Sequence, residues 1–138
     1  MHVLDRILDA NFNRAREALR VLEDLFRFGT NDAAAQISLK RLRHRIAAIE
    51  KPLSARLLAS RDSVRDVGRS SDLSRRGGLA DIAAANFKRL EEAMRSIEET
   101  GGAIRKRAAA IRFEAYDAEK EFLPSMRRRS RLEKVRLY

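Results

Sequence analysis

A polar segment occurs twice in this sequence, and the repeat limits the folds that the chain can adopt. NFNRAREALRVLED covers Asn11–Asp24, and NFKRLEEAMRSIEE covers Asn86–Glu99. Both copies follow the pattern N-F-x-R-x-x-E-A-x-R-x-[LI]-E-[DE]. A second pair of segments, LRHRIAAIEK and IRFEAYDAEK, repeats at a similar distance along the chain. We therefore expect an all-α protein, an antiparallel four-helix bundle built from two duplicated αα-hairpins.

The hydrophobic periodicity predicts helices and gives no signal for strands. Apolar residues recur every three or four positions, and Ala, Arg, Leu and Glu dominate over β-branched residues. A long central loop, rich in Ser, Arg, Asp and Gly, is expected between Ser54 and Gly78 after a short helical start. Pro124 is expected to end the last helix. The predicted helices are Leu4–Phe28, Asp32–Lys51, Leu79–Thr100 and Ala103–Leu123.

The composition excludes several functional classes. There are no cysteines, so disulfides and cysteine metal sites are excluded. No apolar run approaches the roughly 20 residues of a membrane span, and we expect a cytoplasmic protein. The formal net charge is +10, and the last twelve residues hold six basic residues against one acidic residue. A basic chain attracts anions, which leaves nucleic acid, acidic lipid and phosphorylated metabolites as candidate partners.

The repeated polar residues are the candidate functional residues. On a helical wheel, the asparagine and the first arginine of each copy fall between two apolar faces and therefore face inward. The first glutamate of each copy lies at the margin of this inward face. The candidates are Asn11, Arg14 and Glu17 in the first copy and Asn86, Arg89 and Glu92 in the second.

Two interpretations of these six residues stay open. Either they satisfy one another in a buried polar network, or they line a ligand pocket where the two hairpins meet. In a pocket, Arg14 and Arg89 would bind phosphate oxygens through paired hydrogen bonds. Glu17 or Glu92 would hold a Mg²⁺ ion, and the asparagines would hydrogen-bond a base edge or a phosphate. These two arginines and two glutamates are the candidate catalytic residues.

Other polar positions have weaker signals. His44 stands where the second copy has a phenylalanine, which indicates either chemistry in one half only or a half-buried polar histidine. Arg20 and Arg95 point away from the apolar stripe and are expected to form outer ion pairs with the acidic residues after them. The loop segment RDSVRDVG contains Asp66 and Gly68 and offers a weak phosphate-binding turn.

Five blocks of the sequence, taken in order, carry a family resemblance. They are RILDANFNRAREALRVLEDLFRF, LKRLRHRI, RDVG, LADIAAANFKRLEEAMRSIEE and IRFEAYDAEKEF, and the match covers about residues 4–123. Together they resemble the strictly monofunctional hydroxymethylpyrimidine-phosphate kinases, a helical domain of bacterial thiamin biosynthesis. Besides the six repeated residues, the blocks include Arg43, His44, Asp66 and Gly68. These four, with the two asparagines, are the candidate substrate-binding residues.

The resemblance implies a reaction and a domain arrangement. ATP and Mg²⁺ would be used to phosphorylate 4-amino-5-hydroxymethyl-2-methylpyrimidine phosphate to the diphosphate. Such domains occur alone or fused to the N-terminus of thiamine phosphate synthase, and the closing RLEKVRLY resembles the entry into the first strand of the synthase barrel. We therefore expect a kinase-like domain over residues 1–124. Residues 125–138 would form a basic linker and the start of a missing synthase domain.

Two other functional classes remain open. A non-catalytic helical module would dock onto the synthase domain or regulate it, and it would consume no ATP. A nucleic-acid binder would bind DNA or RNA through the basic tail, with an affinity that falls steeply with salt. We rank the kinase first, the docking module second and the nucleic-acid binder third. A homodimer that completes the bundle is compatible with the sequence.

Overall fold

The computed structural model describes residues 2–61 and 77–136, with the side chains of residues 3–61 and 77–129. Within these ranges every regular element is helical, so the all-α prediction is confirmed, and no helix is long and apolar enough to cross a membrane. The predicted Asp66 and Gly68 lie outside the described residues, as does most of the predicted loop.

The elements are α1 (His2–Asp24), a π-helical turn (Leu25–Gly29), α2 (Ala33–Glu50), a 3₁₀ turn (Lys51–Leu53), α3 (Ser54–Ala59), α4 (Leu79–Thr100), a second 3₁₀ turn (Gly102–Ile104) and α5 (Arg105–Arg136).

Local signals set the connection between α1 and α2. The π-helical turn that follows α1 ends at Gly29, as the sequence predicts. Asn31 has a positive φ of 53°, a conformation that asparagine tolerates better than most residues. The Asp32 side chain then accepts a hydrogen bond of 3.0 Å from the Ala35 backbone N–H. This N-cap satisfies one of the free donors at the start of α2.

The four long helices share one hydrophobic core. α1 packs against α2 and α4, and α5 packs against the same two helices. Phe26, in the turn after α1, meets Phe87 of α4 and Phe122 of α5 edge to face, with ring centroids 6.3 and 6.2 Å apart. Burying each such ring contributes about 1.5–3 kcal/mol, and the edge-to-face geometry adds to it. These three rings therefore hold the end of α1 against α4 and α5.

The last helix continues past Pro124, so the prediction that this proline ends it is wrong. A proline inside a helix removes a backbone hydrogen bond, at a cost of about 3 kcal/mol in a helix interior. Here Leu123 and Met126 are buried on either side of the proline. The Arg129 side chain also donates to the backbone carbonyl of Thr30. We attribute the continuation of α5 to these tertiary contacts, which a local sequence rule does not include.

Candidate functional site

The asparagines of the two repeats form hydrogen bonds within their own helices. The Asn11 Nδ2 atom donates to the Ile7 carbonyl at 2.8 Å, and the Asn86 Nδ2 atom donates to the Ile82 carbonyl at 2.9 Å. Asn11 is buried and Asn86 is half-buried. Each amide nitrogen carries two N–H donors, and the backbone takes one of them. One donor on each side chain therefore remains for another partner.

The structure corrects the predicted inward orientation of the arginines and places the glutamates, which were predicted at the margin, in solvent. Arg14, Glu17 and Glu92 are exposed, and the Arg89 side chain is 34% exposed. Burying a guanidinium without a full set of partners costs several kcal/mol. The long side chains therefore extend from the helix contact into solvent. The alanines that follow Arg14, Glu17 and Glu92 are buried instead and occupy the core positions.

One ion pair joins the two repeats across the contact between α1 and α4. The Arg89 Nη2 atom lies 3.1 Å from the Glu17 Oε2 atom. Within α1, the Arg14 Nη1 atom donates to the Asn11 Oδ1 atom at 3.4 Å. Glu17 is 62% exposed, and an exposed pair of this kind contributes roughly 0–1 kcal/mol. Breaking the Arg89–Glu17 pair in favour of another anion therefore costs little.

Two adjoining clefts open beside this ion pair, and Arg89 lines both. We call them the α1–α2 groove, with a volume of about 720 Å³, and the α1–α4 cleft, with a volume of about 380 Å³. Both volumes fall in the range of roughly 300–1,000 Å³ that is typical of small-molecule sites. The groove is lined by Asn13, Arg16, Glu17, Arg20, Val21, Arg43, Ala47 and Arg89. The cleft is lined by Asn11, Arg14, Ala85, Arg89, Glu92, Ala93 and Ser96.

The clefts bring together most of the predicted site residues that the structure describes. Asn11, Arg14, Arg89 and Glu92 line the cleft, and Glu17 and Arg43 join Arg89 in the groove. The two other described candidates, Asn86 and His44, line neither. His44 is exposed on α2, so the expectation of a half-buried histidine is wrong. Its side chain lies on the solvent face of α2.

Comparison with known proteins assigns the chain to a family. A model of the ThiD2 family matches residues 6–121. The chain belongs to the ThiD2 family. No solved structure matches it.

Several relatives of this ThiD2 chain have the name thiamine-phosphate synthase. The protein of Nostoc punctiforme is 36% identical over 91% of this chain, and that of Synechococcus sp. strain WH7803 is 38% identical over 96%. The protein of Rhodopirellula baltica is 37% identical over 96% of this chain. The matched region covers 37%, 39% and 39% of these three proteins, respectively. The ThiD2 chain therefore spans about two fifths of the length of these relatives.

Arg43 of the ThiD2 chain is held by a carboxylate of α1. Its Nε and Nη2 atoms donate to the two carboxylate oxygens of the buried Glu23, at 2.6 and 3.1 Å. This hydrogen bonding raises the pKa of Arg43 above its ordinary value. The second repeat has the same contact, in which Arg112 donates through Nε and Nη2 to Glu98. Arg43 therefore ties α2 to α1, and only its remaining N–H groups are available to a ligand.

Part of the groove was not predicted from the sequence. Asn13 and Arg16 were not among the candidate residues, and Arg20 was expected to form an outer ion pair. Arg16 contacts Glu50 at 3.1 Å, whereas Arg20 has no carboxylate partner among the residues whose side chains are described. The available signal was a break in the repeat, because the second copy has Glu91 where the first has Arg16. A break of this kind marks a position where the two halves differ in charge.

Whether the site can hold a metal ion depends on the other ligands that the ion brings with it. Among the described residues, no three acidic or histidine side chains converge to hold a metal. Mg²⁺ bound with a nucleotide needs only one or two carboxylates, because phosphate oxygens and waters complete its shell. Glu17 in the groove and Glu92 in the cleft are both exposed and meet this smaller requirement.

Proposed function

We propose that this ThiD2 chain acts in thiamin biosynthesis and transfers a phosphoryl group from ATP to 4-amino-5-hydroxymethyl-2-methylpyrimidine phosphate, giving the diphosphate and ADP. The names of its relatives support the pathway, and the five sequence blocks support the reaction. The observation that carries the proposal is the position of Arg89, which lines both clefts. Two phosphorylated substrates in adjoining clefts would share this cation at their boundary.

The residues suit the chemistry of phosphoryl transfer. The reaction needs charge neutralisation and alignment more than it needs a covalent catalyst. The acceptor is an ionised phosphate oxygen, so a strong general base is not required. Arg14 and Arg89 offer planar pairs of donors that match phosphate oxygens. We propose that they neutralise the phosphates and hold the two substrates in line.

The Arg89–Glu17 ion pair gives the proposed site a way to respond to substrate. A phosphate group competes with Glu17 for the Arg89 guanidinium, and the exposed pair is weak enough to exchange. Glu17, once released, and Glu92 are the carboxylates that would hold Mg²⁺. When bound, the ion would neutralise phosphate charge and help to align the transferred group.

The proposed architecture is a duplication, with two αα-hairpins forming an antiparallel four-helix bundle. Two sets of equivalent contacts support it. The asparagine-to-carbonyl hydrogen bond of α1 recurs in α4. The paired arginine–glutamate hydrogen bonds between α1 and α2 recur between α4 and α5. Such an arrangement brings the two copies of the polar repeat, on α1 and α4, together at the clefts.

We further propose that this domain works beside a thiamine phosphate synthase domain in a longer cytoplasmic protein. The diphosphate product of the first reaction would be the substrate of the second. The alternative is a non-catalytic module that docks onto the synthase. The similarity to thiamine-phosphate synthases supports both readings, and only the kinase reading requires the clefts to bind ATP.

An activity assay separates these two readings. The purified chain is incubated with ATP, Mg²⁺ and the pyrimidine monophosphate, and the pyrimidine diphosphate is measured by chromatography. We expect one diphosphate for each ADP formed, and we expect removal of Mg²⁺ with EDTA to abolish the product. A helical, folded chain that consumes no ATP under these conditions would contradict the kinase proposal and favour the docking module.

A further inference from the structure

The two halves of the chain differ at the wall of the α1–α2 groove. Ala47 of α2 lines the groove, whereas the repeat places Tyr116 of α5 at the equivalent position. The Tyr116 ring lies 5.7 Å from the Arg112 guanidinium, and its hydroxyl accepts a hydrogen bond of 3.4 Å from the Arg112 Nη1 atom. The Ala47 methyl group leaves open the space that the Tyr116 ring takes up in the other half. The groove is therefore open on the first repeat.

The pairing of one arginine in the groove also differs between the two halves. Arg20 lines the groove and has no carboxylate partner among the described side chains. Its counterpart in the second repeat, Arg95, pairs with Glu99 at 2.6 Å, as predicted for an outer ion pair. On the first repeat the nearby Glu23 is already held by Arg43. Arg20 therefore keeps its charge for an anion in the groove.

The charge of the groove matches a polyphosphate. Four guanidinium groups line it, from Arg16, Arg20, Arg43 and Arg89. Three of them also contact a carboxylate, in the pairs Arg16–Glu50, Arg43–Glu23 and Arg89–Glu17, so that Arg20 carries the uncompensated charge among the described side chains. A nucleoside triphosphate carries more negative charge than a pyrimidine monophosphate and is also the larger molecule. Val21 and Ala47 add apolar surface that a nucleobase or ribose can cover.

The α1–α4 cleft has a different character. Its volume is about 380 Å³, against about 720 Å³ for the groove. Besides the shared Arg89, it has one guanidinium, from Arg14, with the Asn11 amide, the Ser96 hydroxyl and the Glu92 carboxylate. Amide, hydroxyl and carboxylate groups can hydrogen-bond the ring nitrogens and amino group of a pyrimidine, and one arginine suits one phosphate.

We infer that the α1–α2 groove binds the nucleoside triphosphate, with Arg20 as a phosphate-binding residue, and that the α1–α4 cleft binds the pyrimidine phosphate. This assignment rests on the proposed function. Arg89 then contacts the γ-phosphoryl group at the boundary of the clefts. The bond from the γ-phosphorus to the β–γ bridging oxygen breaks, a bond to an oxygen of the acceptor phosphate forms, and ADP leaves with the electron pair.

Two substitutions in the groove test the assignment. Arg20→Gln removes the free charge, and Ala47→Tyr gives the groove the residue found in the other half. Both positions are exposed, so we expect the fold to persist. The matched controls are Arg95→Gln, at the equivalent exposed position, and Ala48→Tyr, the exposed neighbour on α2 that does not line the groove.

Two readouts are measured on each variant: the binding of a non-hydrolysable ATP analogue with Mg²⁺, by calorimetry, and the KM values of both substrates. Arg20→Gln and Ala47→Tyr should each weaken analogue binding and raise the KM for ATP at least tenfold. The KM for the pyrimidine phosphate should stay within about twofold, and both controls should match the wild type.

The possible failures are distinguishable. A rise in the KM for the pyrimidine phosphate instead of ATP would reverse the assignment and overturn it. Analogue binding that is unchanged in both groove variants would also overturn it. A wild-type chain that forms no diphosphate would contradict the proposed kinase function. In that case, a nucleotide site in the groove would still be supported if Arg20→Gln weakened analogue binding and Arg95→Gln did not.

Discussion

At the scale of single residues, the buried carboxyl of Glu91 on α4 connects stability to pH. Glu91 is 3% exposed, and its Oε1 atom lies 3.2 Å from the Lys88 Nζ atom, which is also 3.3 Å from Glu119 of α5. Burial, reinforced by Glu119, raises the pKa of Glu91 to about 7, although Lys88 opposes the shift. The folded chain therefore holds a proton on Glu91 at pH values where the unfolded chain has released it.

We expect the free energy of unfolding to contain a contribution from Glu91 that falls as pH rises from about 4.5 to about 7, because the folded state binds the extra proton in this window. Glu91→Gln removes this titration and should reduce the change in stability between pH 5 and pH 8 by about 1–3 kcal/mol. Burial also raises the pKa of Glu50, which keeps part of the slope in the variant. Urea unfolding at the two pH values measures the effect.

The control for this prediction is Glu121→Gln, which removes an exposed carboxyl of α5. It should change the stability difference between pH 5 and pH 8 by less than Glu91→Gln does. Equal pH dependence in the wild type and in Glu91→Gln would contradict the account of a buried proton.

At the scale of helices, two arginine–glutamate contacts connect neighbouring elements. Arg43 joins α2 to Glu23 of α1, and Arg112 joins α5 to Glu98 of α4. The glutamate side chains are only 5% and 11% exposed. The hydrogen bond to Glu98 also raises the pKa of Arg112. Removing either arginine would leave a largely buried carboxylate without its main partner.

We expect Arg112→Met to lower the free energy of unfolding by about 2–4 kcal/mol, because Glu98 is left without its paired donors. Replacing both Arg112 and Glu98 by Met should recover most of this loss, since no buried charge remains. The exposed Arg95→Met should cost less than about 1 kcal/mol. Urea unfolding of the three variants tests this, and an equal loss in Arg95→Met and Arg112→Met would contradict it.

The helix bounds show which helix ends can be predicted from local sequence signals and which cannot. Leu79–Thr100 agrees at both ends with the prediction, and at its C-terminal end Gly101 and Gly102 are a local stop signal. Pro124 is also a local signal, but the buried Met126 and the Arg129 contact lie beyond it and outweigh it. The proposed domain division after residue 124 stays a prediction, and α5 crosses that point.

At the scale of the whole molecule, the candidate site could be predicted only in part. The repeat identified Arg14, Glu17 and Arg89, which line the clefts. The helical wheel placed the arginines inside, because it gives the direction of Cβ and not the place where a long side chain ends. The groove itself depends on Ala47 of α2 lying opposite Arg20 of α1. That proximity arises from tertiary packing, which no periodicity in one helix encodes.

The two repeats meet at Arg89, which lies on the boundary between a larger, more basic groove and a smaller, polar cleft. Under the proposed function, this arrangement would bring two anionic ligands to one guanidinium. We therefore expect the arginines of the repeat to act in turnover, while other residues pack the core.

The most direct test is the turnover of Arg89→Ala and Arg14→Ala, with ATP, Mg²⁺ and the pyrimidine monophosphate at saturating concentrations. Both side chains extend into solvent, so circular dichroism should show unchanged helix content. We expect each variant to lose at least tenfold in turnover, about 1.4 kcal/mol or more of transition-state stabilisation. Wild-type turnover in both variants would contradict it.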